Sequence, residues 1–201
     1  MEITICPGKA PRRAAVPLSK SEGHRALILA AMAQGETLLP RLPASGDLLA
    51  TMDCLRQMGT SFTERENSLL VTPIAGPAAA PLRLDCRESG STLRFLLPVA
   101  AALGLRAIFT GRGRLPQRPV EALLAALQRN GITAEVRQHP WEIKLAGRLT
   151  PGAFFLPGNV SSQYVSGLML ALPLLTGPSE IRLTGALESA CLLYTSDAAD
   201  E

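Results

Sequence analysis

One pattern of residues recurs three times along this chain, and it limits the folds open to it. The first copy is Ser19-Lys20-Ser21-Glu22-Gly23, then an apolar run over 26–33, then Gly35 and a short run over 37–39. The second is Glu88-Ser89-Gly90-Ser91-Thr92, an apolar run over 93–103, Gly104 and a strand-like run over 106–111. The third is Asn159-Val160-Ser161-Ser162-Gln163, an apolar run over 164–175, Gly177 and a strand-like run over 180–185. Ser21 and Ser91 are 70 positions apart, and Ser91 and Ser162 are 71 apart. Each copy reads as a small-hydroxyl loop, a buried helix, a glycine stop and a strand. The second halves repeat as well. Residues 47–58 and 119–130 have amphipathic helical spacing, with Pro119 near the first turn of the latter. They stop at Gly59 and Gly131, 72 positions apart. Two strand-like stretches follow each stop: 61–64 with 68–72, and 133–137 with 141–145. The repeating unit is therefore βαβαββ. The third unit starts near 156, so its second glycine is due near 203, beyond the 201 residues of the chain.

Composition agrees with an alternating α/β protein. Hydrophobic residues make up 47 % and aromatics only 4 %, which disfavours a β-sandwich built on aromatic strands. The length suits one domain or one and a fraction. No apolar run reaches the ~18 residues of a membrane span, and no charged start with an apolar core marks a secretory leader. The net charge of +3 is too small to imply a nucleic-acid partner. Cys6, Cys54, Cys86 and Cys191 stand far apart, which reads as reduced thiols in or near a core. Two histidines, His24 and His139, offer no zinc set.

The three serine loops point to anion binding. A helix start presents unpaired N–H groups and the positive end of the helix dipole. Serine adds hydroxyl donors there, and glycine allows close approach. One such loop is ordinary N-capping. Three at matched spacing, converging around a pseudo-threefold axis, make a surface for phosphates and carboxylates. Lys20 and Arg25 sit in or near the first turn of the first helix, where the dipole repels cations, so an anion between them is expected. Arg94 stands in the same sense after the second loop, although the polar start of a helix also exposes an arginine idly. The Gly/Pro-rich loop over 111–119 carries Arg112, Arg114 and Arg118, whose planar forks suit phosphate or carboxylate oxygens. It lacks the interleaved aromatics of a nucleic-acid loop.

At these residues the chain resembles the 5-enolpyruvylshikimate-3-phosphate (EPSP) synthases. The similarity lies in the run from Leu18 to Leu27, in Ser89-Gly90-Ser91-Thr92-Leu93-Arg94-Phe95, in Arg118-Pro119, and in Leu156-Pro157-Gly158-Asn159-Val160-Ser161-Ser162-Gln163-Tyr164. It covers residues 1–190 in order. The sister UDP-N-acetylglucosamine enolpyruvyl transferases normally have Lys-Asn at Lys20-Ser21 and lack the Ser-Ser-Gln motif. The resemblance implies an α/β, enolpyruvyl transferase-like domain of βαβαββ units, one of two in the family, with the third unit incomplete here. It implies transfer of the enolpyruvyl group of phosphoenolpyruvate to the 5-hydroxyl of shikimate 3-phosphate, without metal or organic cofactor. A cytoplasmic, monomeric whole enzyme is implied, with neither nucleic acid nor membrane as partner. The rival readings are a UDP-N-acetylglucosamine enolpyruvyl transferase-like enzyme and a stand-alone anion-binding module.

Carried over by motif, Lys20 is the catalytic residue and contacts phosphoenolpyruvate. Ser21 and Arg25 hold the carboxylate and hydroxyl side of shikimate. Gly90 lies against phosphoenolpyruvate and Arg118 grips its phosphate. Ser161 and Ser162 bind the 3-phosphate, Gln163 lies beside the ring, and Ser189 is a last phosphate contact. Glu88 stands where many members carry Asn, and Phe95 where others carry Pro. The resemblance further implies that 1–17 form a strand of the second domain and that 18–190 form the substrate-binding domain. Residues 191–201 match one reading frame of a transposase adapter used in sequencing libraries and read as a non-native tail; the rival is a natural variable tail.

Overall fold

The computed structural model describes residues 19–43, 45–75, 81–159 and 161–185. The expected strand over 1–17, Ser189, Cys6, Cys191 and the tail over 191–201 lie outside the described residues.

The chain builds α1 (Lys20–Ala31), β1 (Thr37–Pro40), α2 (Gly46–Gln57), β2 (Ser61–Arg65) and β3 (Ser68–Thr72) as a first unit. The second unit is β4 (Leu82–Asp85), α3 (Gly90–Ala102), β5 (Ala107–Thr110), α4 (Glu121–Arg129), β6 (Ile132–Gln138) and β7 (Trp141–Gly147). Then come β8 (Ala153–Pro157), α5 (Ser162–Ala171) and β9 (Glu180–Thr184). The repeat is visible in the sheets. The first unit has strand order β1-β3-β2, and the second repeats it as β5-β7-β6 with β4 added beside β5. In both, the pairings of the shared strands are antiparallel. β4 runs parallel to β5, and β8 runs parallel to β9 in the same relation.

Local chemistry explains the boundaries. Gly59 and Gly131 end α2 and α4 with φ of 104° and 94°, the left-handed region that glycine enters without penalty. At the first, Thr60 N–H bonds the carbonyl of Leu55 and Gly59 N–H that of Arg56, closing the last turn. Pro119 does not open α4 as the spacing suggests. Val120, with φ −143° and ψ −9°, is the cap, and Glu121 is the first helical residue. Helix α5 stops at Ala171 and tightens into a 3-10 turn over Leu172–Leu174, where Pro173 has no N–H to continue the helix.

Helix α3 is the axis of the domain. Every residue of Gly90–Ala102 except Ser91 is buried, as expected of a segment apolar almost all round. It packs along α5 and touches α1, α2 and α4. Phe95 is part of this core, with its ring edge-on to His24 at 6.2 Å between centroids. Cys54 and Cys86 are free thiols buried in the same core. No described helix is long and apolar enough to cross a membrane.

Candidate functional site

All three serine loops open helices, and each places a capping serine. Ser19 accepts the N–H of Glu22 at 3.3 Å, Ser89 that of Thr92 at 3.2 Å, and Ser161 that of Gln163 at 3.3 Å. A hydroxyl that accepts a backbone N–H retains its own proton to donate. Capping and anion binding are therefore compatible at Ser161. Ser162 is the first residue of α5 and is partly buried. Ser21 is exposed in the first turn of α1.

Side chains tie helix starts together in pairs, α1 to α2 and α5 to α3. Lys20, the first residue of α1, places Nζ 3.3 Å from Oδ2 of Asp47 in the first turn of α2. Arg25 lies in the second turn of α1, one turn deeper than the sequence suggests. Its Nε is buried and has no hydrogen-bond partner among the described residues. An unsatisfied buried donor is costly. From α5, Gln163 reaches across to α3: Nε2 donates to Ser91 Oγ at 2.9 Å, and Oε1 accepts from Arg94 Nη1 at 2.7 Å.

Arg94 is not the idle surface arginine that a helix start allows. It is 9 % exposed, donates from Nη2 to the carbonyl of Pro119 at 3.0 Å, and lies over the ring of Tyr164. The Tyr164 hydroxyl donates to the same carbonyl at 2.7 Å. Burial pushes that hydroxyl above the ordinary tyrosine value, so it stays a donor at neutral pH. The Pro119 carbonyl is thus held from α3 and α5 together, and it fixes the chain directly after Arg118. Arg118 itself is exposed and makes no ion pair among the described residues. Its guanidinium lies over Gly90: a Cβ there would be 2.8 Å from Arg118 Nη1 and 3.5 Å from Arg94 Nη1.

The loop carrying Gly90 is anchored from behind. Arg87 has φ of 52° and pairs with Asp53 Oδ2 at 2.5 Å, and its carbonyl accepts the N–H of Arg112 at 2.8 Å. The Glu88 carboxylate lies against Gly113 of the basic loop. Among the described residues, no group of three or more His, Cys, Asp or Glu is placed to hold a metal ion.

Lys20 and Arg25 thus stand on α1, and Arg118 lies at the start of α3, which Gln163 ties to the start of α5. Helix starts with serine hydroxyls and nearby cations are the kind of group that binds phosphate and carboxylate. Sequence reasoning missed Asp47, Tyr164 and the polar chain behind the loops (His24, Thr51 and Thr92). A polar residue on the buried face of an amphipathic helix was the available signal for Thr51.

Comparison with known proteins points to one family. The family model for EPSP synthase (3-phosphoshikimate 1-carboxyvinyltransferase) matches residues 11–197. A protein of Clostridium beijerinckii named 3-phosphoshikimate 1-carboxyvinyltransferase is 37 % identical over 194 residues, covering 93 % of this chain and 45 % of the relative. One of Clostridium kluyveri with the same name is 36 % identical over 187 residues, covering 93 % of this chain and 44 % of the relative. The chain thus spans under half the length of these relatives. A solved structure of EPSP synthase from Acinetobacter baumannii superposes with a TM-score of 0.71 at 24 % identity, covering 88 % of this chain and 41 % of that one. That likeness establishes the shared fold.

Proposed function

The chain belongs to the EPSP synthase family, and from that premise we propose that it is the shikimate 3-phosphate-binding half of a 3-phosphoshikimate 1-carboxyvinyltransferase. The whole enzyme transfers the enolpyruvyl group of phosphoenolpyruvate to the 5-hydroxyl of shikimate 3-phosphate and releases phosphate, in the cytoplasm, as a step of the shikimate pathway. The observations that support this reading are the three serine-capped helix starts and the Arg118 guanidinium held over Gly90 at one of them. Both substrates are multiply anionic, and such groups suit them.

In this reading Ser161, Ser162 and a terminal contact at Ser189 take the 3-phosphate, with Gln163 beside the ring. Ser21 and Arg25 take the shikimate carboxylate side. Arg118 over Gly90 takes the phosphate of phosphoenolpyruvate. Lys20 stabilises developing charge and moves a proton, and Asp47 beside it keeps the ammonium in place. Proton transfer needs groups within hydrogen-bond reach of the moving protons. The remaining length of the relatives supplies the rest of that set and the opposing cations that sandwich phosphoenolpyruvate.

Titration calorimetry on the 201-residue chain tests the reading. Shikimate 3-phosphate should bind, and Ser162→Ala and Arg25→Ala should each weaken it by about tenfold or more, the scale of a charge-assisted hydrogen bond. Phosphoenolpyruvate should bind more weakly. Turnover should be absent from this chain and return when a family C-terminal half is joined to it. Tighter binding of phosphoenolpyruvate, or a preference for a UDP-sugar, would overturn the assignment.

A further inference from the structure

Behind the serine loops runs a chain of buried polar side chains to which the proposed function gives no role. His24 Nδ1 lies 2.8 Å from Thr51 Oγ1, and Thr51 Oγ1 lies 2.8 Å from Thr92 Oγ1. The Thr92 hydroxyl is in donor distance of Ser89 Oγ at 2.7 Å and of the Asp47 carbonyl at 3.2 Å. His24, Thr51, Thr92 and Ser89 are all at most 2 % exposed. They come from α1, α2, α3 and the cap of α3. Polar groups so deep in an apolar core are costly unless every one is paired. Here the pairing joins the starts of three helices.

Proton counting is consistent with one direction along the chain. A hydroxyl has one proton. A carbonyl accepts only, and Ser89 Oγ already accepts the Thr92 N–H. With the Thr92 proton directed at Ser89 or at the Asp47 carbonyl, Thr92 Oγ1 accepts from Thr51. Thr51 Oγ1 then accepts from His24, which places the imidazole proton on Nδ1. Burial holds the His24 pKa down at about 4, so the ring is neutral near pH 7 and carries one such proton.

The two ends of the chain are parts of the site. Ser89 caps the helix that begins at Gly90, and the Asp47 carboxylate holds Lys20. We propose that His24, Thr51 and Thr92 form a proton-ordered positioning unit, headed by the Nδ1–H tautomer of His24, which sets the α1 start carrying Lys20, Ser21 and Arg25 against the α3 start carrying Gly90. The unit acts through residues that the proposed function places on substrate, and its link to affinity rests on that reading. Its geometry stands independently.

Nitrogen-15 NMR of the imidazoles in the 201-residue chain tests it, since His139 is the only other histidine and is exposed. The wild type should show His24 as the Nδ1–H tautomer at pH 7. Thr51→Val should shift it toward Nε2–H and move the amide signals of both Ser21 and Gly90. It should also weaken shikimate 3-phosphate binding by about tenfold, while Thr51→Ser should restore all three readouts. An Nε2–H tautomer in the wild type, amide shifts confined to α2, or a Thr51→Ser variant that behaves like Thr51→Val would overturn the unit. If the wild type binds no shikimate 3-phosphate, the functional reading fails, and the tautomer and amide shifts still decide the unit. Should Thr51→Val not fold, the wild-type tautomer together with the Thr51→Ser amide shifts decides it.

Discussion

Gly90 and Arg118 are complementary across the two loops that bear them: the guanidinium occupies the space a side chain on Gly90 would need. Gly90 opens α3 with ordinary helical backbone, so its role is space and not conformational freedom. Gly90→Ala should therefore leave stability within about 1 kcal/mol of wild type, because the obstructing atom is the far end of a flexible side chain. The same change must displace Arg118, and with it one charge-assisted contact to an anion. Phosphoenolpyruvate affinity should fall by about tenfold or more, read by calorimetry. A variant that loses stability and keeps its affinity would show that the space serves packing alone.

His24 gives the chain an acid-sensitive element. Its pKa falls from 6.5 to about 4, first through burial; Asp47 opposes the shift, while Lys20 and Arg25 reinforce it. The unfolded chain binds the proton more readily, so stability from this group is complete above pH 6.5 and is lost as pH falls toward 4. The loss should be on the order of 2–4 kcal/mol over that window. Urea denaturation at pH 7 and pH 4.5 in wild type and His24→Asn measures it. Equal pH slopes in the two proteins would exclude His24 as the source.

Tyr164→Phe removes one hydroxyl from the core and no other atom. Among the described residues the Pro119 carbonyl then keeps only the Arg94 donor. A buried hydrogen bond contributes about 1 kcal/mol net, and the packing volume is unchanged, so the stability cost should be of that size. Because this carbonyl fixes the residue after Arg118, anion affinity should drop as well. Binding of phosphoenolpyruvate measured beside denaturation separates the two effects. An unchanged affinity would detach Tyr164 from the placement of Arg118.

Much of this architecture was legible because it rests on local chemistry. The glycine stops at Gly59 and Gly131 and the serine caps at Ser19, Ser89 and Ser161 are set by residues within a few positions of one another. The repeat spacing then predicted matching sheets, and β1-β3-β2 and β5-β7-β6 match. Strand β4 was not placed, because Leu82–Asp85 is too short to show alternation. The start of α4 was misjudged because Pro119 favours a helix start, while its carbonyl is claimed by Arg94 and Tyr164 from other helices. Asp47, Thr51 and Thr92 escaped notice for the same reason. Their partners stand 27 and 41 positions away and become neighbours only when three helix starts meet.

Gly167 sets how closely α5 approaches α3. A Cβ at this position would run into the backbone carbonyl oxygen of Arg94 and lie 3.1 Å from Cγ of Pro98. Neither obstacle is the end of a flexible chain, so relief requires the two helices to move apart. Alanine is a better helix former than glycine by roughly 1 kcal/mol, which offsets part of the cost. Overpacking a close-packed core typically costs about 1–3 kcal/mol. Separation also stretches the bonds from Gln163 to Arg94 at 2.7 Å and to Ser91 at 2.9 Å, which span the same crossing. Gly167→Ala should therefore lower the urea midpoint at unchanged slope, by a net of about 1–2 kcal/mol, and should weaken shikimate 3-phosphate binding, because the α5 start carrying Ser161 and Ser162 moves with the helix. A variant as stable as wild type would show that the α3–α5 contact yields without strain, and would remove Gly167 as the determinant of where the third serine loop sits.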